Sequence, residues 1–264
     1  MHFVVLVVGD DPESQLAPFQ ENNMDNCPEE YLEFDDNTEE WQEEYEKGKI
    51  EAVKIGKKYY LRGDKKFKHK DKDGIGYTYD FPKGSKIEKV PLNKIYKTFD
   101  KYCRKYHGVE ANEDGCYGYT SNPNSHWDYY QMGGRWAGLL ILKPGCIGDQ
   151  GERSWGNENE PPLPYNHVSQ AKKGDVDWDV MHKTQMVALE KEWDEYAKTG
   201  KNDIFRDVGE FKTKEQYLEA HLRCFVHAIL QDGEWIDEPT GKQTKKIIDN
   251  LDDDTLLTLV DCHV

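Results

Sequence analysis

The chain has no apolar run near the roughly 20 residues that a membrane-crossing helix needs, so a membrane span is not expected in its 264 residues. Its start, Met1-His2-Phe3-Val4-Val5-Leu6-Val7-Val8, lacks the basic segment and small-residue cleavage site of a signal peptide and reads as a first strand. No two of the six cysteines form a CxxC pair. Cys27, Cys103, Cys116, Cys146, Cys224 and Cys262 are scattered, which suits reduced thiols in a cytoplasmic protein better than a disulfide scaffold. A zinc site would have to gather distant ligands, because no ligand spacing is present. The sequence also lacks a P-loop, GxSxG, HExxH, a dinucleotide fingerprint and any internal repeat, so no common catalytic motif names a reaction.

What the chain has is charge, aromatic rings and enough length for a core. Charged residues make up 33% and aromatics 12%, and rings at that density argue for packing rather than disorder. The net charge of −16 is unevenly laid out. Residues 10–51 hold 16 acidic and 2 basic side chains, whereas residues 54–105 hold 17 basic and 6 acidic. These blocks either neutralise each other locally or leave an acidic arm facing a basic partner. The run from Lys65 to Lys72 reads as a solvated loop. One phenylalanine among its lysines is too little to point to direct nucleic-acid binding.

Residues 3–8 and 255–262 are apolar and rich in β-branched or leucine side chains, and they predict buried strands. Further strands are expected at 137–142 and 222–230, with a hairpin turn at Asp232-Gly233. Helical spacing of Leu92, Ile95, Phe99, Tyr102 and Tyr106 predicts a helix over 92–106. Asp177 caps a long helix over 178–198, and Thr38 and Thr213 are expected to cap two others. Asp175, Asp177 and Asp179 lack the glycine and terminal glutamate of a calcium loop, so capping is the better account of them. The expected fold is α+β in one domain over 1–264. It has a mostly antiparallel sheet, for which a ferredoxin-like arrangement is one form, helices 92–106 and 178–198 on one face, and a charged insertion over 20–90.

Several stretches stand out together: the Phe3-to-Gly9 strand with Gln15-Leu16-Ala17-Pro18-Phe19, Asn122-Pro123-Asn124 with Trp127-Asp128-Tyr129, and Gly133-Gly134-Arg135-Trp136, then Gly174-Asp175-Val176-Asp177 and the closing Asp261-Cys262-His263. In these, and outside residues 20–110, the sequence resembles a family of uncharacterised proteins of phages and bacterial mobile elements. The resemblance implies a virus-borne accessory protein and brings no activity with it.

Two places carry candidate chemistry. The first is the aromatic stretch of Trp127, Asp128, Tyr129, Gly133, Gly134, Arg135 and Trp136. Its rings could stack on a base or sugar while the glycines admit the backbone and Arg135 takes a phosphate or carboxylate. The alternative is a tight turn whose rings complete the core and whose arginine pairs with Asp128. The second is the meeting of the first and last strands. Antiparallel pairing would set His2 near His263 beside Asp261, a group able to hold a metal or to work as an acid–base pair. His126 and Asp128, close together on the same stretch, are further acid–base candidates, as is His263.

The expected function is a phage-type accessory protein, with an anti-defence role, in the cytoplasm of the host. It would bind, and in one version cleave, a nucleotide-like or other phosphorylated small ligand at the aromatic Gly-Gly-Arg stretch. The alternative is an acidic inhibitor that covers a basic host protein by mimicking nucleic acid. No cofactor is indicated.

Overall fold

In the computed structural model, residues 1–23, 26–70, 76–154, 161–200, 208–222 and 225–264 are described. The chain forms two compact units, one of residues Met1–Tyr31 with Asn122–Val264 and one of Leu32–Ser121. The insertion expected over 20–90 is thus longer and starts later. The acidic stretch 10–51 is divided between the two units and is not one continuous arm.

The larger unit is built on a seven-stranded sheet. Its strands in chain order are β1 (His2–Val8), β2 (Tyr129–Gly134), β3 (Glu152–Arg153), β4 (Gln170–Lys172), β5 (Ala228–Gln231), β6 (Glu234–Asp237) and β7 (Leu256–His263). The order across the sheet is β3-β2-β7-β1-β5-β6, with β4 also pairing β7. β1 runs antiparallel to β7 and parallel to β5, and the β2–β3 pair is parallel too, so the sheet is mixed and mostly antiparallel. The fold class is α+β, as the sequence predicts.

Strand alternation explains why β1 is apolar throughout. Val4, Leu6 and Val8 face a core with Leu140, Val176, Ile248 and Leu257. Val5 and Val7 face a second core with Leu16, Phe19 and Trp127. Each fully buried Val or Leu contributes roughly 1.5–3 kcal/mol. The first core is covered by helices α2 (Trp178–Thr199) and α4 (Gly241–Asn250), through Trp178, Met181, Ile247 and Ile248. The second lies under α1 (Pro12–Leu16) and the turn Ala17–Phe19. Asp177 caps α2 by accepting from the Val180 backbone N–H at 3.0 Å, as predicted from sequence. Thr213 does the same for α3 (Lys214–His221), accepting from Gln216.

Several expectations are corrected. The sheet strand is Tyr129–Gly134 and not 137–142. Of the latter, Leu140–Ile141 pairs with His167–Val168 and Leu142 forms a single bridge with Val176, both outside the main sheet. The run 139–142 is apolar because it fills the first core, with Leu140 and Leu142 buried there. The strand expected at 222–230 is confined to Ala228–Gln231 among the described residues. A ferredoxin-like sheet places the second strand of the hairpin next to β1. Here the first hairpin strand, β5, takes that position and β6 lies outside it. Burial accounts for the choice: Ala228, Ile229 and Leu230 are fully buried, whereas β6 carries Glu234 and Asp237 at its ends and suits an edge.

The smaller unit has its own core of Trp41, Leu92, Tyr96, Tyr102, Cys103 and Tyr117. The chain enters and leaves it side by side, since Glu33 opposes Ser121 in the pair Glu33–Asp36 with Gly118–Ser121. A three-stranded sheet of Lys49–Ile55, Lys58–Leu61 and Lys86–Pro91 and a helix at Thr38–Lys47 complete it. Thr38 begins that helix as its first residue, and Asn37 holds the cap position. The helix expected over 92–106 is broken into Leu92–Ile95, Phe99–Tyr102 and a wider turn at Cys103–His107. Thr98 causes the break: it is extended and caps the second piece by accepting from the Lys101 N–H. Of the charged run from Lys65 to Lys72, Lys68–Lys70 pairs with Tyr77–Tyr79, while Asp71 and Lys72 lie outside the described residues. Cys27, Cys103, Cys116, Cys146 and Cys262 are free thiols, and Cys224 lies outside the described residues. Among the described residues no helix is long and apolar enough to cross a membrane.

Candidate functional site

Alternation along β2 divides the aromatic stretch. Tyr130 and Met132 pack into the second core with Trp127, whose ring meets Tyr130 edge-on at 4.9 Å. Trp127 is buried and donates its indole N–H to the Leu16 carbonyl at 3.1 Å. Asn122 braces the same region, donating to the carbonyls of Pro18 at 2.8 Å and Gln20 at 2.9 Å. The Asn122-Pro123-Asn124 and Trp127 signatures therefore tie one segment of the chain to another. His126 lies on this side as well, stacked on Trp235 at 4.4 Å. It does not meet Asp128, which pairs instead with His263.

The two glycines serve a close approach within the protein. Gly134 has φ +55°, and a Cβ there would stand 2.3 Å from the Cβ of Asp261. At Gly133, with φ +82°, a Cβ would stand 2.6 Å from the Ser169 hydroxyl. This lets the buried Asp261 accept from the Arg135 backbone N–H at 2.9 Å. Successive turn bonds from Trp136 to Gly133 and from Leu139 to Trp136 then carry the chain away from the sheet. Ser169, buried below, accepts from the Gly138 N–H and donates to the Gln150 carbonyl.

The turn so fixed forms one wall of a cleft of about 790 Å³ in the larger unit. That volume suits a ligand of nucleotide size. Half-buried Trp136, Leu139, Trp178, Met181 and Phe225, with buried Ile248, supply its apolar lining. Arg135, Lys173 and Lys245 bring positive charge to it. Two of these cations are already paired, Lys173 with Asp253 at 2.7 Å and Lys245 with Asp249. Arg135 is exposed, and among the described residues its guanidinium has no ion-pair partner. Of the residues singled out from sequence, Arg135 and Trp136 line the cleft, while Trp127, Asp128, Tyr129, Gly133 and Gly134 do not.

A second constellation stands on the same sheet face as the first core, at the end of the sheet away from Val8. His2 opposes His263 in the β1–β7 register, and β2 places Tyr129 opposite His263. The His2 Nδ1 lies 2.8 Å from Asp261 Oδ1, and its Nε2 lies 3.3 Å from the Tyr129 hydroxyl. The His263 Nδ1 lies 2.8 Å from Asp128 Oδ1, which also accepts from the Tyr129 backbone N–H at 2.7 Å. A carboxylate only accepts, so Nδ1 carries the proton in both rings; the Nε2 of His2 meets the Tyr129 hydroxyl, and that of His263 has no hydrogen bond among the described residues. The imidazole centroids are 4.8 Å apart, and the Tyr129 ring stacks on His263 at 5.2 Å. Burial pushes the Asp128 carboxyl up, but hydrogen bonds from His263 and from the Tyr129 N–H outweigh it and hold the group below the usual carboxylate range. The proximity of His2, His263 and Asp261 is expected from sequence. The Asp128 and Tyr129 contributions are not, and the signal that gives them is the register of β2 against β7. Among the described residues no three His, Cys, Asp or Glu side chains are grouped as metal ligands.

Asp261 links the two places. One of its oxygens fixes the turn that carries Arg135 and the other holds His2. No protein-family model, characterised protein or solved structure matches this chain.

Proposed function

We propose that the larger unit binds a small anionic ligand with an aromatic or apolar body, of the nucleotide-like or phosphorylated kind, in the cleft beside Arg135. The observation that supports this reading is a guanidinium without an ion-pair partner among the described residues, on an apolar cleft whose lysines Lys173 and Lys245 are paired with Asp253 and Asp249. An arginine presents a planar fork that takes a phosphate or carboxylate through two hydrogen bonds. Trp136 and Trp178 offer faces on which a base could stack. The aspartate that holds the turn is buried, so the arginine's backbone is set in place before a ligand arrives. A virus-borne, anti-defence protein that sequesters a nucleotide signal in the host cytoplasm would use such a site. The reading as an acidic inhibitor of a basic host protein is less favoured, because the acidic stretch is divided between two units.

Native mass spectrometry of protein purified from cells, run beside Arg135→Gln, tests the proposal. The parent is expected to carry a small anionic ligand and the variant to lose it. Because Arg135 is exposed, its melt should shift by less than about 1 kcal/mol. A variant that retains the ligand, or that unfolds, contradicts the reading.

A further inference from the structure

We propose that His2 and His263 are the acid–base pair of a second site, one that hydrolyses phosphodiesters with water as the nucleophile. This does not rest on the cleft, since neither histidine lines it. Three observations carry it. Each imidazole is oriented by its own carboxylate through Nδ1, His2 by Asp261 and His263 by Asp128, at 2.8 Å in both cases. The rings stand on neighbouring strands with centroids 4.8 Å apart, close enough to reach one substrate. The supporting shell is built into the fold: Asp261 is buried and held by the Arg135 N–H, and the space beside it depends on a glycine at 134.

Phosphodiesters are favoured over carboxylic esters by the number of proton carriers. Displacement at phosphorus sets the attacking and departing oxygens roughly in line on opposite sides, so it uses one base and one acid at separate points. Acyl transfer with a single His moves the proton through one ring and needs a nucleophile beside it. Here there are two rings.

In the step proposed, neutral His263 takes a proton from water at Nε2. The water oxygen forms a bond to phosphorus as the bond from phosphorus to the leaving oxygen breaks, and that bond's electron pair goes with the leaving oxygen. Protonated His2 gives its Nε2 proton to that oxygen, displacing the Tyr129 hydroxyl from its contact. One proton is taken up and one released, and the rings re-equilibrate through solvent. His263 takes the water side because its ring is the more open of the two, with 32% of its side chain exposed against 18% for His2, and this leaves His2 on the leaving-group side. Asp261 and Asp128 act as positioning residues, and among the described residues the titratable groups in contact with each ring are these aspartates, Tyr129 and the other imidazole.

The test uses the full chain with bis(p-nitrophenyl) phosphate and a panel of linear and cyclic dinucleotides, beside His2→Gln, His263→Gln and Asp261→Asn. The parent should release product. Each histidine variant should lose roughly a hundredfold or more in kcat, the scale of acid–base catalysis, while still melting cooperatively. Asp261→Asn should lower kcat more than it changes KM and should move the pH profile. Should a histidine variant fold poorly, imidazole modification of the parent by diethyl pyrocarbonate, reversed by hydroxylamine, is expected to abolish and restore activity. Both histidine variants should still bind adenosine diphosphate in the cleft, which separates the two sites. No cleavage of any diester, cleavage untouched by the histidine changes, or cleavage of p-nitrophenyl acetate alone would overturn the proposal.

Discussion

Replacing Gly134 with alanine strikes the point where β2 meets the last strand. The backbone there has φ +55°, where an L-residue costs roughly 1–2 kcal/mol. The new methyl would stand 2.3 Å from the Asp261 Cβ and 2.4 Å from its Oδ2. Both neighbours are fixed, since Asp261 is buried and lies on the central strand β7. Overpacking of this kind costs about 1–3 kcal/mol. If Asp261 moves aside instead, the charged hydrogen bond to the Arg135 N–H is lost, worth about 1.5–3 kcal/mol. The backbone cost with either of these comes to about 2–5 kcal/mol, a large share of a typical total of about 5–15 kcal/mol. Urea unfolding measures it, with Gly145→Ala as the control. Gly145 has φ +84° with nothing within 4 Å of a new Cβ, so it bears only the backbone cost. If Gly134→Ala costs no more than Gly145→Ala, the close packing of β2 on Asp261 is wrong.

Three further outcomes are expected. Asn122→Ala should cost about 2–4 kcal/mol by urea unfolding, because it removes two bonds to the carbonyls of Pro18 and Gln20, and should leave ligand binding intact. Asp128 has a lowered folded-state pKa, so its contribution is present above the ordinary carboxylate value and is lost as pH falls through the lowered one. The stability gap between the parent and Asp128→Asn should thus be full at neutral pH and close below about pH 4, as read by unfolding at stepped pH. Replacing Leu32–Ser121 with a short Gly-Ser loop should leave a unit that still melts cooperatively, because the ends of the removed segment are adjacent. A molten product would show that the larger unit does not fold alone.

The first and last strands are legible in the sequence because their burial is complete. Val4 to Val8 and Leu257 to Val260 read as apolar strands, and pairing them sets His2 opposite His263. The strand Tyr129–Gly134 is hidden for a physical reason. Its residues alternate between a core and an open face, it ends in two glycines, and a more apolar run follows it. That run fills a core without joining the main sheet, so apolarity alone points to the wrong segment. His126 and Asp128 look like partners because they are near in sequence, yet one stacks on Trp235 and the other holds His263. The partner of the Arg135 segment is Asp261, 126 residues away, and only the fold could supply it. The cleft is half legible. Arg135 and Trp136 are in view, but Trp178, Met181, Phe225 and Ile248 come from segments that read only as helix or strand.

The central claim is that an anionic ligand enters the cleft beside Arg135 and leaves the core tryptophan alone. Titration of the labelled protein with adenosine diphosphate, followed through its indole N–H resonances, tests this most directly. Trp136 and Trp178 line the cleft, whereas the indole of Trp127 is buried and bonded to Leu16. The resonances of Trp136 and Trp178 should shift in the parent and stay still in Arg135→Gln, with Trp127 unmoved in both. Shifts confined to tryptophans outside the cleft, or shifts that persist without the arginine, would contradict the account.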